Sequence, residues 1–65
     1  MDNQKLGIFI TELRKEKGLT QAQLAQKLNV TDKAVSKWER GVGFPDIKRL
    51  EPLADVLDIS LLELM

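Results

Sequence analysis

An all-α fold, five short helices packed as one compact bundle, is what this 65-residue sequence predicts. Three observations lead there. Apolar residues return every three or four positions, as one face of a helix requires, and no stretch alternates as a half-buried strand does. Residues that cap helices stand where most of these runs begin, and Gly, Asn or Asp stands where they stop. A chain this short buries only about 60% of the surface its unfolded form exposes, so it holds one core cluster and reads as one domain over residues 1–65.

The first helix is expected from Asn3 to Lys17, with Leu6, Phe9, Ile10 and Leu13 on one face and Gly18 as the positive-φ stop. Thr20 caps the second. Gln23 completes a capping box with it, and Leu19 and Leu24 flank the cap as a hydrophobic staple. This helix buries Leu24, Ala25 and Leu28 and stops at Asn29, the side chain that tolerates a left-handed backbone best after Gly. Thr31 caps the third, Val30 and Val35 form its staple, and Gly41 ends it. Gly43-Phe44-Pro45 then makes a short loop that holds Phe44 extended. Asp46 caps a fourth helix that runs to Leu57, interrupted by Pro52, which lacks the N–H owed to Lys48. A helix with a local kink is favoured there over a loose turn followed by a helix from Pro52. Asp58 takes a stop position like that of Asn29, and Ser60 and Glu63 form a capping box that opens a fifth helix. That helix reaches Met65 after about one turn, so the chain is expected to be the N-terminal domain of a longer protein.

Composition excludes several classes of function. There is no cysteine and no histidine, which removes thiolate sites, disulfides and the commonest general bases, nucleophiles and metal ligands. The carboxylates are scattered rather than clustered, so neither an enzyme, a metal site nor a bound cofactor is expected. No run approaches the ~20 apolar residues that span a bilayer, and the expected location is the cytoplasm. Net charge is zero, but its distribution is not even. Residues 1–40 carry eight Lys/Arg and five Asp/Glu, giving +3, and residues 41–65 carry two and five, giving −3. The basic excess sits on the segment that holds the second and third helices.

That segment, Thr20 to Gly41, encodes two helices joined by a tight polar turn. The third helix places Lys33, Ser36 and Lys37 on one outward face while Val35 and Trp38 turn inward. A helix braced from behind in this way can enter the DNA major groove, which admits one α-helix.

With these residues in view, the chain resembles the helix-turn-helix domain of phage repressors and Cro proteins, the Xre-type family, whose fold is the lambda-repressor-like bundle. Leu13-Arg14, Gly18-Leu19-Thr20-Gln21, Leu24-Ala25, Val30-Thr31, Val35-Ser36, Trp38-Glu39, Gly41, Pro45 and Leu57 with Ile59-Ser60-Leu61 all fall where that pattern places them. The resemblance implies a helix-turn-helix formed by helices 2 and 3. It implies that Gln21 bonds a DNA phosphate, in agreement with the free N–H groups of a helix start. It puts Asp32, Lys33 and Lys37 at base-reading positions, with Ser36 between them touching base or phosphate. Either lysine can donate to guanine O6 and N7, or serve only a phosphate; Asp32 can accept from cytosine N4, or merely stabilise its own helix dipole. Thr31 and the loop Val42, Gly43 and Phe44 are expected along the phosphates. Lys27 and Arg40 reach that far too, although an ordinary solvated face accounts for them equally. Arg14 and Glu39 are implied to form a salt bridge between the first and third helices, and Trp38 to be a core anchor.

Two departures from the family pattern stand out: Asn29 and Asp58 replace glycines common at these turns, and Leu62 replaces a usual acidic residue. With Leu61, Leu64 and Met65, Leu62 makes an apolar edge, a candidate dimer contact. The function implied is a sequence-specific double-stranded-DNA-binding regulator, a repressor acting as a homodimer on a two-fold operator. No small-molecule ligand or membrane partner is evident. The rival is a protein-interaction module of the same fold, a partner regulator or antitoxin with little DNA affinity.

Overall fold

Four helical stops of one design shape the chain. The computed structural model describes residues 2–64, apart from the side chains of Leu61 and Leu64. Four helices of eight or more residues run in order, α1 (Asn3–Glu16), α2 (Gln21–Leu28), α3 (Asp32–Glu39) and α4 (Ile47–Leu57). No strand occurs among the described residues. Each helix ends in the same pair of backbone bonds. Leu19, Val30, Val42 and Ile59 donate back to Arg14, Ala25, Lys37 and Ala54, and the residue before each donates to Lys15, Gln26, Trp38 and Asp55. The residue at each stop is left-handed: Gly18, Asn29, Gly41 and Asp58 have φ of 71°, 57°, 76° and 60°. This arrangement satisfies carbonyls that a helix end leaves orphaned.

The starts are equally local. Asp2, Thr20, Thr31 and Asp46 accept from a backbone N–H two or three residues on, and Thr20 with Gln23 closes a full capping box. The Asp2 cap is an addition to the sequence reading. Pro52 lies inside a continuous α4, so the alternative of a loose turn before it does not apply. Both Pro52 and Lys48 are exposed, which leaves the unserved carbonyl on the wet side of the helix.

The expected five-helix count needs correction. Beyond α4 there is only a single turn, α5 (Leu61–Leu64), closed at its start by the Glu63 N–H donating to the Ser60 carbonyl at 3.0 Å. One turn gains too few bonds to offset the cost of nucleating it, so the bundle rests on four helices.

Leu6, Ile10, Leu24, Leu28, Val35, Leu53 and Leu57 form one core together with Ala25, Trp38 and Ala54. Pro45 is fully buried as well and anchors the loop before α4. Gly7 decides how closely α1 and α3 cross. A Cβ there would lie 2.5 Å from the Trp38 carbonyl oxygen and 2.6 Å from that of Glu39. Only a residue without a side chain permits that approach.

Candidate nucleic-acid interface

The site is built on α3, eight residues or about 12 Å of helix. Its inner side is Val35, fully buried, and Trp38, 7% exposed. The Trp38 position agrees with a core anchor and leaves no room for stacking on a base. On the outer side, Asp32, Lys33, Lys37 and Arg40 are exposed and Ser36 is half-buried. A 3.6-residue turn puts Lys33, Lys37 and Arg40 within one narrow arc directly opposite the core. Three cations therefore face solvent together, with a single carboxylate, Asp32, at the first turn. Arg40 is not free to swing, because its Nε donates to Ser36 Oγ at 3.2 Å. Ser36 thus orients a cation as well as standing between the lysines.

Beside α3 runs a shallow groove lined by Thr31, Lys33, Ala34, Lys37, Trp38, Gly43 and Phe44. Gly43 lies close enough that a Cβ would sit 3.3 Å from Lys37 Cβ, so the loop backbone passes tightly against the helix. Val42 and Phe44 are bare apolar side chains, 66% and 45% exposed. Thr31 uses its oxygen to cap α3, accepting from the Ala34 N–H at 3.1 Å, and retains its O–H as a donor. Lys27 is exposed on the last turn of α2.

A buried polar cluster braces α3 from behind. Arg14 Nε donates to Glu39 Oε2 at 2.6 Å and Arg14 Nη2 to Oε1 at 3.1 Å, a bidentate pair between side chains 11% and 6% exposed. This is the ion pair that the resemblance implies. Arg14 Nη1 also donates to the Leu19 carbonyl at 2.7 Å, which ties the α1–α2 loop to the same centre. Burial works to raise the Glu39 pKa, but the hydrogen bonds from Arg14 and Gln21 and the Arg14 charge outweigh it and hold the carboxyl below its usual value. Thr11 lies near the same carboxylate, yet its one hydroxyl hydrogen is directed to the Gly7 carbonyl at 2.8 Å.

Gln21 makes a contact that its place in the sequence does not announce. Its side chain is half-buried, and its Nε2 donates to Glu39 Oε1 at 3.0 Å instead of simply projecting outward. Sequence reasoning also passed over Gly7. The available signal was a lone glycine on the apolar side of a helix, a costly choice unless a neighbour packs closely. At the other end of the chain, Leu62 is 84% exposed, as is Ile47 at 83%. The side chains of Leu61 and Leu64, and all of Met65, lie outside the described residues.

Two capped helices joined by a tight left-handed turn, the second cationic outside and braced inside, define a helix-turn-helix scaffold. Comparison with known proteins agrees. The helix-turn-helix family model HTH_3 matches residues 10–64. The HTH-type transcriptional activator BcrR of Enterococcus faecalis is 40% identical over 63 residues, 97% of this chain and 29% of its own length. The cryptic phage CTXphi transcriptional repressor RstR of Vibrio cholerae is 39% identical over 51 residues, 78% of this chain and 46% of its own. The chain therefore spans less than half of either relative. The biofilm master regulator SinR, solved in complex with DNA, superposes with a TM-score of 0.82 at 38% identity, over 91% of this chain and 95% of that one. The chain belongs to the Xre/Cro-type helix-turn-helix family of transcriptional regulators, a non-enzymatic fold. No described helix is long and apolar enough to cross a membrane.

Proposed function

We propose that residues 1–65 act as the sequence-specific DNA-binding domain of a cytoplasmic repressor. The observation that carries this reading is the cationic arc of Lys33, Lys37 and Arg40 on a helix whose opposite face is locked into the core. In this reading α3 enters the major groove, and Lys33 and Lys37 donate to guanine edges. Asp32 accepts from cytosine N4, and Ser36 lies within reach of base or phosphate. Thr31, Lys27, Arg40 and the loop of Val42, Gly43 and Phe44 track the flanking phosphates. Gln21 stands at the same edge, where its own backbone N–H at the start of α2 faces the anionic strand. Repression needs nothing further from the domain, since occupancy alone blocks another protein at the same groove.

One module of this size buries too little surface for tight binding, so the operator is two-fold and two copies bind half-sites about one helical turn apart. The exposed Leu62, with Leu61, Leu64 and Met65 beside it in sequence, is the proposed contact between copies.

The test begins with selection of bound fragments from random duplex DNA, followed by polarisation titrations across salt. Affinity is expected to fall steeply as salt rises. Lys33→Ala or Lys37→Ala weakens the selected site by about 1–3 kcal/mol and random DNA far less. A chain with no duplex affinity even at low salt would instead be the protein-interaction module.

A further inference from the structure

We infer that the Gln21 side chain is a positioning residue, setting the angle of α3 against α2 through Glu39. This inference rests on the DNA-binding reading above and deepens it. Gln21 is the first residue of α2, and Glu39 is the last residue of α3. Their 3.0 Å bond is the only side-chain hydrogen bond that crosses from α2 to α3 among the described residues. Val35 and Trp38 hold α3 in the core by packing, and the Gln21 bond adds a restraint on its angle to α2. A directional bond at the far end of the helix resists rocking.

The acceptor is itself immobile. Both Glu39 oxygens are engaged by Arg14, and Arg14 is anchored in turn to the Leu19 carbonyl, one residue before the α2 cap Thr20. Gln21 thus closes a ring that runs from α2 to Glu39, to Arg14, to Leu19 and back to α2. A small rotation of α3 about its braced end carries Lys33, at the opposite end, sideways in the groove. Base readout depends on that position; attraction to phosphate does not.

Gln21→Met keeps the length and bulk of the side chain but cannot donate. Its affinity for the selected duplex is expected to fall about tenfold, and for random duplex to change less than about twofold, because one charge-assisted hydrogen bond is lost and no phosphate contact is. Equal losses on both duplexes would make Gln21 a phosphate clamp and overturn the proposal, as would no loss on either. Amide spectra of the free variant supply a readout that needs no DNA. Shifts should extend along α3 from Glu39 back to Lys33, and shifts confined to the first turn of α2 would also overturn it. If the wild-type chain bound no duplex at all, the DNA reading would fail, and the spectra would still decide whether Gln21 orients α3.

Discussion

Leu28-Asn29-Val30-Thr31 and Leu57-Asp58-Ile59-Ser60 are one turn made twice. Each begins with a buried leucine, passes through a left-handed residue at φ 57° or 60°, and half-buries a β-branched side chain. Each is closed by the same two backbone bonds, from Val30 to Ala25 and from Asn29 to Gln26 in one, from Ile59 to Ala54 and from Asp58 to Asp55 in the other. Their downstream segments differ sharply. The first turn launches an eight-residue helix with cations outside and an ion pair beneath its end; the second launches four residues with a bare leucine, Leu62, 84% exposed. Turn geometry is therefore a local matter. The chemistry that gives a turn its function belongs to the helix it releases, and to what braces that helix.

Removing the ion pair of the first region should cost far more than removing that of the second. Glu39→Ala strands the Arg14 guanidinium where it is 11% exposed, and a loss of about 3–5 kcal/mol is expected in urea unfolding. The second turn has an ion pair too, Lys17 Nζ to Asp58 Oδ2 at 3.5 Å, but its partners are 39% and 85% exposed. Lys17→Ala should leave the melting temperature unchanged within error, since solvent screens such a pair. Gly7→Ala attacks the brace from the α1 side, where a methyl would collide with carbonyls of α3. It should cost about 1–3 kcal/mol by the same measurement.

Acid sharpens the comparison. The folded Glu39 pKa lies below its ordinary value of 4.5, so the ionised carboxylate is favoured by the folded state. Its contribution is fully present above the unfolded pKa and is lost as pH falls through the lower folded one. Melting curves of the wild type and Glu39→Gln, measured from neutral pH to below that value, should differ most at neutral pH and converge in acid. Parallel curves would mean that the carboxylate contributes no more when charged.

A smaller effect is expected at Leu62, beyond the second of the two turns. Leu62→Glu should leave unfolding of the isolated chain nearly unchanged, because the residue is already in solvent. It should abolish any self-association seen by sedimentation. The smallest effect belongs to the turns themselves. Exchanging Asn29→Asp and Asp58→Asn together should shift stability by less than about 1 kcal/mol, because both side chains tolerate the left-handed region. A larger shift would show that the two turns are less alike than their backbones.

Much of this was legible in the residues because the relevant physics is short-range. Thr20 with Gln23, and Asn29 before Thr31, mark helix boundaries from within a few positions. The outward position of Lys33 and Lys37 comes from counting 3.6 residues per turn back from Trp38. Gln21 was harder. A polar first-turn residue reads as a solvated or phosphate-facing group until a carboxylate eighteen positions later is placed beside it. Gly7 was missed for a related reason, since its neighbour is a pair of carbonyls on another helix. The one-turn α5 was overestimated because a start signal says nothing about whether a helix gains enough packing to continue.

The order of the helices, their starts and stops, and the side of α3 that carries charge were set by the sequence alone, through interactions spanning four or five residues. The tertiary structure alone decided which polar side chains remain available to a ligand. Burial of the Arg14–Glu39 pair draws Gln21 inward, because a carboxylate removed from water attracts any donor within reach, and only the packed helices determine which donors those are.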